Sequence, residues 1–501
     1  MRPLLYTLAF IGAAGAAAAQ TPAVPTPAAP APAAQEPTPV LTIEEAVTLA
    51  RRNNPVHLSN LNNRNVAAAQ RRSAYGAFVP NIDASFSTQY REGGGQFFNG
   101  ATFGASSATL ASSYDLTAIA RYNAGTFIAP KLQQANVRAA EADAANSEEQ
   151  LRANVTRQYL TVLQQQARAQ LQDTLVATAQ AQLELSRARV AVGSGTALDV
   201  ARSEVALGQA QVAALQARNL IEVEKVRLFQ QLGIAQPGNV QLTSSFTITD
   251  FQQSLDDVLA LARRVNPAVN AARSRESVAG LTYRTSQLQY TPTLQIASFW
   301  GGFTNQYTDD AFVLSQALGE KQSPCYQTAQ IKAIANDVPP DFTACQAIAL
   351  TPQEISEANK INSEFPFNFA TNPWTLQASL SLPILNGFQR EQRVQEASAQ
   401  RADARYEVRA QELALTANVT AAYLDLTTSQ RTVGLQEQNA RTARQALTLA
   451  EERFRVGANT FVDVSQARAD FERAETDRIN AIYDYHRAYA ALQSAVGRPL
   501  R

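Results

Sequence analysis

The chain is written twice, and no other feature limits its fold so strongly. Leu49-Ala-Arg-Arg-Asn-Asn-Pro55 recurs as Leu261-Ala-Arg-Arg-Val-Asn-Pro267, 212 positions on, and Thr42, Glu45 and Pro80 find Ser254, Asp257 and Pro292 in the same register. Farther along, Ala153-Asn-Val-Thr156 recurs as Ala417-Asn-Val-Thr420, now 264 positions on. The same step carries Val192-Gly-Ser-Gly-Thr-Ala-Leu-Asp-Val200 onto Val456-Gly-Ala-Asn-Thr-Phe-Val-Asp-Val464, and Leu232-Gly233 onto Val496-Gly497. A chain of this kind folds as two copies of one supersecondary unit. The copies occupy residues 41–234 and 254–498, joined by 235–253. The growth of the step places extra sequence in the second copy, expected as a long loop over about 301–372.

Each copy reads alike. A short helix starts at Thr42-x-x-Glu45 or Ser254-x-x-Asp257, where side chains satisfy first-turn amides, and ends at an Arg pair followed by Asn-Pro. A second helix runs toward Pro80 or Pro292, after which the period changes to two. Apolar and polar residues alternate in Ile82–Tyr90 and Trp374–Leu382, and more weakly in Leu110–Tyr122 and Tyr290–Trp300. Such segments suit a barrel strand between lipid and a wet lumen, and suit a half-buried soluble sheet equally well. The stretches from Lys131 to Val192 and from Gln389 to Val456 contain no Pro and a single Gly, Gly434. Each predicts a helix of roughly 60 residues, about 90 Å long. Leu151, Val155, Tyr159 and Val162 share one face, matched by Leu415, Val419, Tyr423 and Leu426. A Gly-containing turn then returns the chain through a shorter helix, giving an antiparallel coiled-coil hairpin in each copy.

Basic and acidic residues number 43 each, which offers no electrostatic basis for binding nucleic acid. Residues 1–19 read as an export signal, with Arg2, an apolar Leu4–Ile11 core and small residues at Ala16–Ala19; residues 20–40 read as a Pro/Ala-rich linker. Nothing downstream reaches the roughly 20 apolar residues of a spanning helix, so a membrane role falls to strands. Four strands cannot close a barrel, and an open sheet edge cannot face lipid, so other copies must complete it.

Duplicated helix-strand-strand-hairpin units with Val-Gly-x-x-Thr-x-x-Asp-Val tips resemble the TolC-like outer-membrane factors, also called outer membrane efflux proteins, over roughly residues 41–498. The resemblance implies a mainly α fold with membrane β. In that family three chains build a 12-stranded outer-membrane barrel and a long α-helical barrel across the periplasm, and the resemblance implies the same here. It implies a passive exit duct, a homotrimer set in outer-membrane lipid, working with a periplasmic adaptor and an inner-membrane transporter. Small-molecule efflux and type I protein secretion both fit. The second-repeat tip resembles the one whose aspartate lines the periplasmic entrance, which assigns Asp463 there. Gln466 stands where a further acidic residue would complete a second ring. Asp199 is the first-repeat counterpart, and for both aspartates helix capping is a sufficient structural role. Gly193, Thr196, Gly457 and Thr460 resemble the turns that meet the adaptor, and Phe454 and Asn459 are candidates for contacts that close the entrance.

Cys325 and Cys345 fall in the extra loop, which the barrel topology puts outside the cell, as a disulfide or as two thiols. His57 and His486 lie in helical segments and form no catalytic constellation. No zinc spacing or phosphate loop occurs, so no enzyme activity, metal or cofactor is expected. The alternative function is a periplasmic coiled-coil adaptor, which also needs a signal and a long hairpin but normally shows one hairpin flanked by soluble β-domains.

Overall fold

A computed structural model describes residues 40–98, 101–238, 240–243, 248 and 251–500. The export-signal and linker readings lie outside them, except for Val40. The first repeat runs β1 (Val40–Leu41), α1 (Ile43–Asn53), α2 (Pro55–Gly76), β2 (Asn81–Arg91), β3 (Gly94–Phe98), β4 (Ala101–Ser106), β5 (Thr109–Tyr122), α3 (Ala124–Ala191) and α4 (Ala197–Leu232). After β6 (Gln241–Leu242) the second repeat runs α5 (Leu255–Val265), α6 (Pro267–Gln287) and β7 (Thr293–Tyr307). It continues through α7 (Asp310–Asn336), α8 (Thr343–Gln346), α9 (Pro352–Ile361), β8 (Ala370–Thr371), β9 (Thr375–Ser381), α10 (Gln389–Arg455) and α11 (Phe461–Val496).

Helices α3 and α10 hold 68 and 67 residues, about 100 Å each at the usual rise. The upper half of α3 packs against α2 and α6, tied by Asn60 to Ser147 at 2.8 Å and by Arg71 to Gln134 at 2.7 Å. Its lower half packs against α4 and α11. The shared apolar face forms two equivalent cores at mid-height. In the first, Leu151, Val155, Tyr159 and Val162 enclose Ala46 and Ala50 of α1; in the second, Leu415, Val419 and Leu426 enclose Val258 and Ala262 of α5. Tyr159 also ties down the connecting segment, donating to the Leu41 carbonyl (2.7 Å) and sharing the Thr243 carbonyl (2.9 Å), where β1 and β6 pair in parallel.

The Asn-Pro motifs explain themselves here. The Asn54 side chain accepts from the amides of Val56 and His57, capping α2, and donates to the Gln231 carbonyl in the last turn of α4 at 2.8 Å. Asn266 does the same for α6 and the Ala495 carbonyl of α11, again at 2.8 Å. The return helices stop at left-handed Gly233 and Gly497, whose backbones lie against Asn53 and Pro267. Each return helix thus abuts, end to end, the helix that rises to the sheet.

The sheet is antiparallel in the order β2-β5-β7, with β9 and then the two-residue β8 paired along the far side of β7, and β2 and β9 are open edges among the described residues. Beyond the four expected strands, β3 and β4 form a small hairpin. The expectation of an irregular loop over 301–372 is corrected: β7 continues to Tyr307, and α7, α8 and α9 fill most of the remainder. Gly319 and the in-helix Pro324 hid the 27-residue α7, which has no single apolar stripe to betray it.

Candidate entrance at the hairpin tips and the membrane sheet

At the lower end each hairpin turns through one left-handed glycine, Gly193 (φ 73°) or Gly457 (φ 80°), a conformation that a Cβ would strain. The return helix then opens on a reciprocal cap. The Asp463 carboxylate accepts from the Thr460 amide (2.8 Å) and hydroxyl (2.7 Å), and that hydroxyl accepts from the Asp463 amide (3.3 Å). Thr196 and Asp199 repeat the arrangement at 3.3, 2.7 and 3.2 Å. The bonds from Thr460, its amide first, hold the Asp463 carboxyl below the usual aspartate range. Asp463 and Gln466 are exposed and Asp199 is half-buried. Gln466 donates to Asp470 one turn on, at 3.2 Å.

The two tips are joined by a residue that the motif reading missed. Arg189, in the last turn of α3, donates to the Phe454 carbonyl of α10 (2.6 Å) and to the Ser194 carbonyl of its own turn (3.0 Å). Its guanidinium also lies 4.5 Å from the centre of the Phe454 ring. Phe454 is 3% exposed and packs with Ala450 and Val464. A signal existed: Arg189 stands 264 positions before Arg453, one turn ahead of each tip glycine. Asn459 is half-buried.

Above the tips, α3 and α11 are zipped by polar side chains. Asn480 accepts from Gln164 (2.8 Å) and Arg168 (2.6 Å), Gln164 accepts from Arg487 (2.8 Å), and Glu472 accepts from Gln172 (3.1 Å). Lower down, Arg468 donates to the Leu175 carbonyl across a cavity of about 300 Å³ between α3, α4 and α11. Burial draws the Arg468 pKa down, opposed by Glu472 and Glu451, and burial raises that of Glu451 against the pull of Arg468. This network fixes the lower part of one hairpin to the other. Among the described residues, no group of three His, Cys, Asp or Glu side chains gathers as a metal site, and no helix is long and apolar enough to cross a membrane.

At the opposite end the register sorts the sheet into two faces. Ile82, Phe86 and Tyr90 lie beside Leu110, Tyr114 and Leu116, then Trp300, Ile296 and Leu294, then Leu376 and Leu380. The other face carries Asp83, Ser85, Ser87 and Gln89 beside Ser113, Asp115 and Thr117, with Gln377 and Ser379 on β9, and is interrupted on β7 by Ala297, Phe299 and Phe303. Ile82 is 68% and Leu380 71% exposed. Aromatic rings gather on the apolar face: Trp300 stacks on Trp374, and Phe86 on Phe367. Broad apolar exposure with an aromatic band, backed by a polar face, is how a strand meets lipid on one side and water on the other. Beyond this sheet, Cys325 of α7 and Cys345 of α8 are joined as a disulfide, with Cα atoms 5.5 Å apart.

Comparison with known proteins agrees with this layout. The chain matches the model of the family described as outer membrane efflux protein over residues 46–234 and 351–498. No individual curated protein matches it. Among solved structures it is similar to the outer membrane protein VceC of Vibrio cholerae, with 15% identity, 91% of this chain and 96% of that chain covered and a TM-score of 0.65. The CmeC outer membrane channel of Campylobacter jejuni is similar at 13% identity, with 91% and 85% covered and a TM-score of 0.67. The open state of the MtrE outer membrane channel of Neisseria gonorrhoeae is similar at 14%, with 91% and 89% covered and a TM-score of 0.64. The stretch between the two matched blocks, 235–350, holds α5, α6 and β7 as well as α7, α8 and the disulfide. With two matched blocks falling on the two repeats, this chain belongs to the outer membrane efflux protein family.

Proposed function

We propose that three copies of this chain close one outer-membrane barrel and one periplasmic helical duct, through which cargo passes from an inner-membrane transporter by way of a periplasmic adaptor. Membership in the family makes the protein an outer-membrane channel and not an enzyme, and it removes the alternative of a periplasmic adaptor. The observation that calls for further copies is the sheet, with its apolar face and its edges β2 and β9 unpaired among the described residues, and the number three rests on the likeness to the family. In lipid each unpaired amide or carbonyl costs several kcal/mol, so β9 of one subunit pairs with β2 of the next. Three subunits give 12 strands, within the range of bacterial barrels.

In this assembly Asp463 contributes a ring of three carboxylates to the entrance and draws cations there. Gln466 leaves that ring without an acidic companion. Gly193, Thr196, Gly457 and Thr460 shape the turns presented to the adaptor. Energy comes from the transporter, and the cargo is a small molecule or a secreted protein. The test is reconstitution of the purified chain in a planar bilayer together with its mass in detergent. A trimer with steady ion conductance supports the reading, and a monomer without conductance refutes it. Comparing the extracellular proteins of a deletion strain and its complemented form then separates the cargoes. Loss of one or a few secreted proteins marks secretion, and an unchanged set with raised drug sensitivity marks efflux.

A further inference from the structure

Arg390 is a buried cation for which the described residues supply no ion-pair partner. It is the second residue of α10, is 6% exposed, and forms no ion pair with any described residue. Its guanidinium turns back over the helix start, donating to the Ile384 carbonyl at 3.1 Å and resting 4.8 Å from the centre of the Tyr290 ring. Its Nε is buried without a partner. A buried charge so placed is costly unless something compensates it.

The helix it begins is also uncapped. Among the described helices of eight or more residues, α10 alone has no side-chain bond at its N-terminus. The corresponding start of α3 is closed by the reciprocal Asn123–Thr126 cap. The N-cap of α10 is instead Phe388, a non-glycine residue at φ 61° that follows Gly387 at φ 63°. The Arg390 guanidinium thus stands beside a helix start whose Gln389 amide reaches only the Asn386 carbonyl, at 3.5 Å, and a cation next to a helix N-terminus without a side-chain cap is an arrangement that receives an anion.

The surroundings say which anion. The lipid-facing row of β9, Leu376 and Leu380, continues through Leu382 into Ile384, Leu385 and Phe388, which are 90%, 79% and 72% exposed. This collar lies at the helical end of the sheet, where the apolar band stops. Neighbouring charges are the exposed Glu391 and the exposed Arg393, which donates to Gln289 at 3.3 Å, so the cluster remains net positive. We infer that Arg390 and the open first turn of α10 hold the headgroup phosphate of a phospholipid in the periplasmic leaflet, with its acyl chains against Ile384, Leu385 and Phe388. The inference rests on the membrane placement proposed above.

Native mass spectrometry of the full-length trimer, released from bilayers of phosphatidylethanolamine and phosphatidylglycerol, tests it. The expected result is retained phospholipid, at up to one molecule per subunit. Arg390→Gln should lower that retention about tenfold, since a lost charge-assisted contact changes binding by about that factor. Diacylglycerol, which has the tails without the phosphate, should not be retained, and inorganic phosphate alone should not bind. If Arg390→Gln prevents assembly, Ile384→Ser with Phe388→Ser removes only exposed collar residues and should produce the same loss. Equal retention in a folded variant overturns the site. Equal retention of diacylglycerol overturns the phosphate, and binding of inorganic phosphate alone overturns the lipid. Wild-type conductance in the same preparation keeps a failure here distinct from a failure of the channel reading.

Discussion

Arg189 and Phe454 bind each other twice, once through the Phe454 carbonyl at 2.6 Å and once through its ring, with the guanidinium 4.5 Å from the ring centre. One residue lies on each hairpin, so this is where the two tips are fastened. Arg189→Ala removes both contacts and the bond to Ser194. Hydrogen bonds to a charged group contribute about 1.5–3 kcal/mol each, so amide exchange at 189–199 and 454–463 should accelerate by about tenfold or more. Unchanged exchange would mean that the fastening is incidental.

Asp463→Asn should weaken block of single-channel current by multivalent cations. The pH dependence follows from the lowered pKa. The cap from Thr460 is fully present above the usual aspartate value of about 3.9 and is lost as pH falls through the lower folded value. Block should therefore persist at pH values where an unrestrained aspartate is already protonating. Block that fades in step with a free aspartate would contradict the bonding at this tip.

Gly233 and Gly497 should resist substitution while other glycines welcome it. A Cβ on Gly233 would lie 2.4 Å from the Asn53 carbonyl oxygen, and one on Gly497 would lie 2.3 Å from Pro267 Cδ. Both residues have positive φ, so alanine at either should cost about 1–3 kcal/mol and lower the thermal midpoint. Gly208 and Gly434 sit inside helices with open space around a Cβ, and alanine there should add about 0.5–1 kcal/mol. Differential thermal unfolding of the four variants checks the contrast.

Burial lowers the pKa of His486 to about 4. The native state then binds fewer protons than the unfolded state between that value and about 6.5, so stability should rise with pH across this window. His486→Gln should flatten the dependence, as measured by denaturation midpoints at pH 4, 5, 6 and 7. An unaltered slope would assign it to other groups.

The Cys325–Cys345 bond spans a sequence separation of 20, and losing such a closure costs about 3 kcal/mol in the chain-entropy description. Cys325→Ser with Cys345→Ser should loosen α7 and α8, seen as faster proteolysis between 310 and 350, while conductance through the duct persists. Thiol reagents should label neither cysteine until reductant is added.

What could be read from the sequence follows from how local each device is. The Asn-Pro starts of α2 and α6, the Thr-x-x-Asp caps and the tip glycines each leave a signature within four residues and occur twice, so their register exposed them, whereas the bonds of Asn54 to Gln231 and of Asn266 to Ala495 lay beyond local reading. The strands showed through their alternation, because two unlike solvents face them. Arg189 acts on a residue 265 positions away, and no local rule ties an arginine to a distant carbonyl. The insertion was misread because α7 hides its helical period behind a proline and a glycine. Arg390 was invisible for another reason: an arginine in a helical run of many charges reads as solvated until its burial is known.

The end-to-end meeting of α4 with α2, and of α11 with α6, has a mechanical meaning. A continuous helix of this length curves only gently, and a sharp bend needs a local break in its amide-to-carbonyl ladder. Here each column is already cut at mid-height, and the cut is bridged by one asparagine side chain to one carbonyl, at Asn54 and at Asn266. A lower hairpin that swings outward would work against these two fasteners, the polar zip to its neighbour and the uncut helix, α3 or α10, that runs beside each joint. Stiffness and articulation are thus assigned to different residues, and a two-residue motif marks the position of the hinge pin.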